Sequence, residues 1–144
     1  MVPMFMKRIL LLSCVSQKLN HPAPAAELYT SPLFRLSLAY ARLLQPDAIH
    51  ILSAKYGLVD LDEVIEPYDV TLNTMPAAER RAWAQRVLAQ LAARYDLAND
   101  QFIILAGKRY REHLLPHLAH VEIPMEGLPI GKQLQFLKQH IQDE

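Results

Sequence analysis

The stretch Ser53-Ala54-Lys55-Tyr56-Gly57-Leu58 sets an amine, a phenol and a glycine directly after an apolar run, and Glu66-Pro67-Tyr68-Asp69 then places two carboxylates around a second phenol. A lysine in such a loop pairs with phosphate or, once desolvated, acts as an amine nucleophile. Tyr56 offers a flat stacking face, and Gly57 lets the backbone reverse at positive φ beside a ligand. Pro67 stiffens the chain between an acid and a ring, which suits Glu66 or Asp69 to proton handling. The plainer alternative is a tight turn whose tyrosine plugs the core, followed by an acidic run through Asp60, Asp62 and Glu63 that only meets solvent. Lys55, Glu66 and Asp69 are therefore the candidate catalytic residues, with Ser53, Tyr56, Gly57 and Tyr68 as candidate substrate contacts.

Two more strand-like runs open into polar loops. KRILLLS leads into Ser13, Cys14, Ser16 and Lys18, where backbone amides and an ammonium suit an anion, although Cys14 reads equally as a small buried hydrophobe. FIIL leads into Gly107, Lys108 and Tyr110 at a helix start whose amides also suit an anion; the alternative is that Lys108, Arg109 and Arg111 merely solvate that helix. Ligands of parallel α/β sheets bind outside the carboxyl ends of the strands, so three polar-ended strands point to one shared site. The six histidines show no HxH or HExxH spacing, and no metal or other cofactor is expected. GxGxxG, GxxxxGK[ST] and GxSxG are all missing, which argues against dinucleotide, P-loop and common serine-hydrolase chemistry.

Positioning these loops requires an alternation of strand and helix. Apolar runs predict strands over residues 7–13, 48–53, 101–106 and 120–123. Ser31 is a good N-cap with Pro32 at the first helical position, and Leu33, Leu36, Tyr40, Leu43 and Leu44 mark one helical face. Thr74 caps a helix over residues 75–95, another runs from Lys108 towards Leu118 with Pro116 bending it, and a last one carries Leu134, Leu137 and Ile141. The expected fold is α/β, a three-layer sandwich with a mainly parallel four-stranded sheet, in a single domain over residues 1–144.

The 144 residues carry 15 basic and 15 acidic side chains, a balance that argues against a protein whose main task is coating duplex phosphates. A nucleotide, or a nucleic acid held by a local patch, remains the expected partner. The apolar run Ile9–Leu12 is too short for a secretory h-region or a membrane span, so no membrane partner is expected. One cysteine rules out an internal disulfide framework and fits the cytoplasm; oligomeric state is left open.

SC-x-S-x-K after the first strand, ELYTSPLF, SAKYGLV, EPYD-x-TL and AGKRY together resemble an uncharacterised family of small bacterial domains, over nearly the whole chain. YGLVDLDEVIEPYDVTL is also similar to a segment of the YaaA peroxide-stress proteins, and the first loop to a motif of archaeosine synthase. The resemblance implies a uracil-DNA-glycosylase-like fold and handling of nucleobases or DNA. It carries over to Ser13, Cys14 and Lys18, to Tyr56, Gly57 and Leu58, and to Pro67 with Tyr68. Asp69 stands where the YaaA segment has arginine, and the glycosylase signatures GQDPY and HPSP are missing. The expected activity is nucleobase- or nucleotide-directed, with hydrolysis of an N-glycosidic bond as its concrete form. In that form Glu66 or Asp69 stabilises the cationic sugar or activates water, Lys18 and Lys55 hold phosphate, and Tyr56 and Tyr68 stack on the base. The alternative is a nucleotide or nucleic-acid binding module without catalysis.

Overall fold

The computed structural model of the chain describes residues 6–13 and 17–142. Strand β1 (Arg8–Ser13) is followed by β2 (Ala23–Pro24), the one-turn helix α1 (Ala25–Leu28), α2 (Pro32–Leu43), β3 (Ala48–Ser53), β4 (Gly57–Asp60) and β5 (Val64–Ile65). A 3₁₀ turn (Leu72–Thr74) then leads to α3 (Ala77–Ala92), β6 (Gln101–Leu105), α4 (Lys108–Arg111), a second 3₁₀ turn (Leu115–His117), β7 (His120–Glu122) and α5 (Ile130–Gln142).

Ile9, Leu10, Leu11 and Leu12 are all fully buried, so β1 is covered on both faces. Alternation sends Leu10 and Leu12 into a core shared with α2 and α5, and Ile9 and Leu11 into a second core shared with α3 and α4. The sheet order is β4-β3-β1-β6-β7. β1 is central and parallel to both β3 and β6, and β7 runs parallel to β6. The fold class is therefore α/β, as expected, but the sheet has five strands rather than four. The extra one is β4, antiparallel to β3, where Gly57 at φ +77° turns the chain back so that Val59 pairs with Ile51 and Leu58 with Leu52. Its two buried apolar residues are too few to register as a strand in the sequence. A small antiparallel ribbon joins β2 to β5.

Ser31 Oγ accepts from Phe34 N and Pro32 starts α2, as the capping pattern requires. α3 begins later than expected, because Thr74 belongs to the 3₁₀ turn and Pro76 precedes the first helical residue. α4 lasts one turn, and the chain around Pro116, which lacks an amide donor, runs as the second 3₁₀ turn instead of continuing the helix. β1 leads towards α2 on one face of the sheet and β6 leads into α4 on the other. Neighbouring strands whose connections leave to opposite faces open a crevice at their carboxyl ends.

Candidate functional site

A cleft of about 650 Å³ occupies that crevice. Ser13 ends β1 and Gln17 lies farther along the chain; Ser31, Leu33, Phe34 and Ser37 come from the start and first turns of α2, and Gly107, Lys108, Tyr110 and Arg111 from the N-cap and body of α4. Met125, Gly127 and Leu128 after β7, with Ile130, Gln133 and Leu134 of α5, form the opposite wall. Ser13 Oγ accepts from Gly107 N at 3.3 Å, which ties the ends of β1 and β6 together. Arg111 is half-buried and donates to Ala106 O at 2.7 Å, fixing its guanidinium in the wall, while Lys108 stands exposed at the rim. Among the described residues, no aspartate or glutamate lines the cleft. Neither Lys108 nor Arg111 has an ion-pair partner among the described residues.

A second polar cluster joins the segment after β1 to those after β3 and β5. The Tyr68 hydroxyl accepts from Ser53 Oγ at 2.9 Å and lies 2.5 Å from the hydroxyl of the fully buried Tyr29. Lys18 Nζ sits 4.5 Å from the Tyr68 ring centre and 5.7 Å from that of Tyr29, close enough for cation–π attraction. Tyr56 meets Tyr68 edge-on at 5.8 Å, and its amide donates to Ser53 Oγ at 3.0 Å. Trp83 of α3 holds the same corner from below, its indole N–H donating to Ser53 O at 2.8 Å.

The expected site residues thus divide. Ser13, Gly107, Lys108 and Tyr110 line the cleft. The Tyr110 ring is buried edge-on to Trp83 at 5.7 Å, with its hydroxyl accepting from Leu72 N at 3.4 Å. The Gly107 amide is taken by Ser13 rather than left open to an anion. Lys18, Ser53, Tyr56 and Tyr68 gather in the tyrosine cluster and do not line the cleft. Gly57 forms the turn into β4, where a Cβ would stand 2.6 Å from Gln90 Oε1. Lys55 is exposed, its carbonyl accepting from Arg86 Nη2 at 2.8 Å and its ammonium 5.3 Å from the Tyr56 ring centre. Glu66 and Asp69 are exposed on either side of Pro67-Tyr68, outside the cleft lining. Cys14 and Ser16 lie outside the described residues.

Arg111, expected only to solvate its helix, is part of the cleft wall. Its signal was the three-residue spacing from Lys108, which puts both cations on one side of a helical turn. Ser31, Ser37 and Gln133 had no such signal, because segments distant in sequence bring them together.

His50 and Asp60, whose ionisation the fold perturbs, lie outside the cleft lining. His50 Nδ1 stands 2.8 Å from Asp60 Oδ1, and Nε2 stands 2.5 Å from the Tyr95 hydroxyl. Burial, with the nearby Arg94 charge, pushes the His50 ring below its usual range. Burial works to raise the Asp60 carboxyl, but the Arg94 guanidinium at 2.9 Å and the His50 ring outweigh it and hold the group down. Among the described residues, no three of His, Cys, Asp and Glu are grouped to hold a metal ion, and no helix is long and apolar enough to cross a membrane.

The model of a family of unknown function, DUF6884, matches residues 9–139, and the chain belongs to that family. No curated protein and no solved structure matches it.

Proposed function

We propose that this DUF6884 domain binds a nucleotide or nucleic acid in the cleft at the carboxyl ends of β1, β6 and β7. One observation carries the reading: among the described residues, the cleft wall holds two cations and no carboxylate. Charges beside low-dielectric walls focus the local field, and a half-buried guanidinium without a counter-charge favours an anion in the space before it. The rest of the wall supplies apolar surface at Leu33, Phe34, Met125 and Leu128, with hydroxyl and amide groups at Ser31, Ser37 and Gln133. Pockets for small molecules combine a mainly apolar lining with a few polar groups in this way. The likeness of the SC-x-S-x-K and YGLV…EPYD motifs to YaaA and archaeosine synthase supports a nucleobase in the ligand and a uracil-DNA-glycosylase-like arrangement of the fold.

Hydrolysis of an N-glycosidic bond is the second reading, favoured by the anchored Tyr68 between Glu66 and Asp69 with Lys18 over its ring. It ranks below binding because a carboxylate must reach the sugar to stabilise its developing charge, and both acids are exposed outside the cleft. Nucleosides, nucleotides and modified DNA and RNA incubated with the protein separate the readings by mass spectrometry. Binding by ligands that stay intact supports the first. Base release that disappears in Glu66→Gln or Asp69→Asn supports the second, and the absence of both binding and release rejects the two together.

A further inference from the structure

Resting on the ligand-binding reading above, we infer that the cleft takes a free nucleoside monophosphate, one base with one terminal phosphate monoester, rather than a stretch of nucleic acid. Charge matching is the first ground. Lys108 and Arg111 supply two positive charges, and no acid among the described residues of the wall offsets them. A phosphate monoester carries about −1.5 to −2 at neutral pH, whereas each linkage of a nucleic acid carries a single charge.

Placement of those charges is the second ground. Proteins that hold a single strand track successive phosphates along an extended basic groove. Here both cations come from one turn of α4, and the facing wall presents Met125, Leu128 and Leu134. A ligand charged at one end and flat and apolar at the other fits this arrangement; a backbone charged on both sides of each base does not. The volume of about 650 Å³ falls within the range that holds one small ligand.

Polar atoms for a base edge are present on the apolar side. Gln133 donates its amide N–H to Leu128 O at 2.8 Å, so its carbonyl oxygen is the group left to accept from a ligand. Ser37 is 4% exposed and adds a hydroxyl from α2. The phosphate therefore lies against Arg111 and Lys108, and the base lies beside the half-buried Leu33 and Leu128.

Isothermal titration calorimetry tests this with the full chain. The probes are the common nucleoside 5′-monophosphates, their methyl esters, the free nucleosides, octyl phosphate, inorganic phosphate and a short single-stranded oligonucleotide. At least one monophosphate is expected to bind roughly tenfold tighter than its methyl ester, the difference of about one partly screened charge. Its affinity should rise as the second phosphate ionisation, near pH 6, is completed. Lys108→Met, at the exposed rim, and Arg111→Met should each weaken it several-fold with the far-ultraviolet spectrum unchanged. Oligonucleotide bound as tightly as the monophosphate overturns the inference while the binding reading stands. Octyl phosphate or inorganic phosphate bound equally well overturns it by removing any role for the base. An oligonucleotide that binds alone likewise overturns only the inference, and no binding by any probe overturns both.

Discussion

The Ser53 hydroxyl donates to the Tyr68 phenol at 2.9 Å while accepting from the Tyr56 amide at 3.0 Å. Ser53 is fully buried at the last residue of β3, so one side chain fixes the turn into β4 and the corner that carries Tyr68. Leaving a buried donor without its partner costs about 1–3 kcal/mol. Ser53→Ala is expected to lower unfolding free energy by about 2 kcal/mol in urea titrations, and Tyr68→Phe by a similar amount. Because they share a bond, the double variant should lose less than the sum. Strict additivity would mean the bond contributes nothing.

Gly57 and Gly127 both have positive φ, +77° and +82°, yet differ in their surroundings. A Cβ at Gly57 would stand 2.6 Å from Gln90 Oε1 and 3.0 Å from Arg86 Nε, whereas at Gly127 it meets nothing within 4 Å. Left-handed backbone alone costs a side chain about 1–2 kcal/mol. Gly127→Ala should show only that loss. Gly57→Ala should show more, since displacing Gln90 also breaks its 2.9 Å bond to Leu58 N. Equal losses in thermal unfolding would discount the close approach.

Stability should fall on acidification from near neutrality. The folded His50 ring, facing Asp60, Arg94 and Tyr95, titrates below its ordinary value of 6.5. Its contribution is therefore complete above that value and is lost as pH falls through the lower folded one. Asp60, also lowered, adds a loss of the same sign starting near 3.8. Urea midpoints measured down the pH scale should hold level above pH 7 and decline below about 6.5, with the upper part of that decline much reduced in His50→Gln. A decline unchanged in that variant would assign it elsewhere.

Trp83 is the one tryptophan of the chain, and it packs edge-on against Tyr110 in the cleft wall. Ligand entering the cleft should change its fluorescence, and Lys108→Met should shift the titration midpoint several-fold without altering the starting spectrum. Trp83→Phe should cost about 1–3 kcal/mol, because Ser53 O loses its donor.

Much of this architecture is legible in the residues. β1, β3 and β6 fall where continuous apolar runs place them, and Ser31-Pro32 starts α2 as its capping chemistry demands. β4 was not legible, because GLVD presents only Leu58 and Val59 to the core and its strand character comes from pairing with β3. Helix ends moved where prolines compete with periodicity, at Pro76 and Pro116. The loops after β1 and β3 do meet, bringing Lys18, Tyr56 and Tyr68 together. The hollow instead lies between the ends of β1 and β6, walled by a segment after β7 whose sequence advertises no chemistry. Local patterns name the groups that end each strand, but which of them share a void depends on strand order.

That strand order has a consequence during synthesis. β1 is made first yet pairs on one side with residues 48–53 and on the other with residues 101–105. As the chain leaves the ribosome, Ile9-Leu10-Leu11-Leu12 therefore waits with a bare edge until some ninety further residues have emerged, and such unpaired apolar edges invite association with other chains. The newborn polypeptide thus carries both edges of β1 bare until β3 is complete and one of them until β6 arrives.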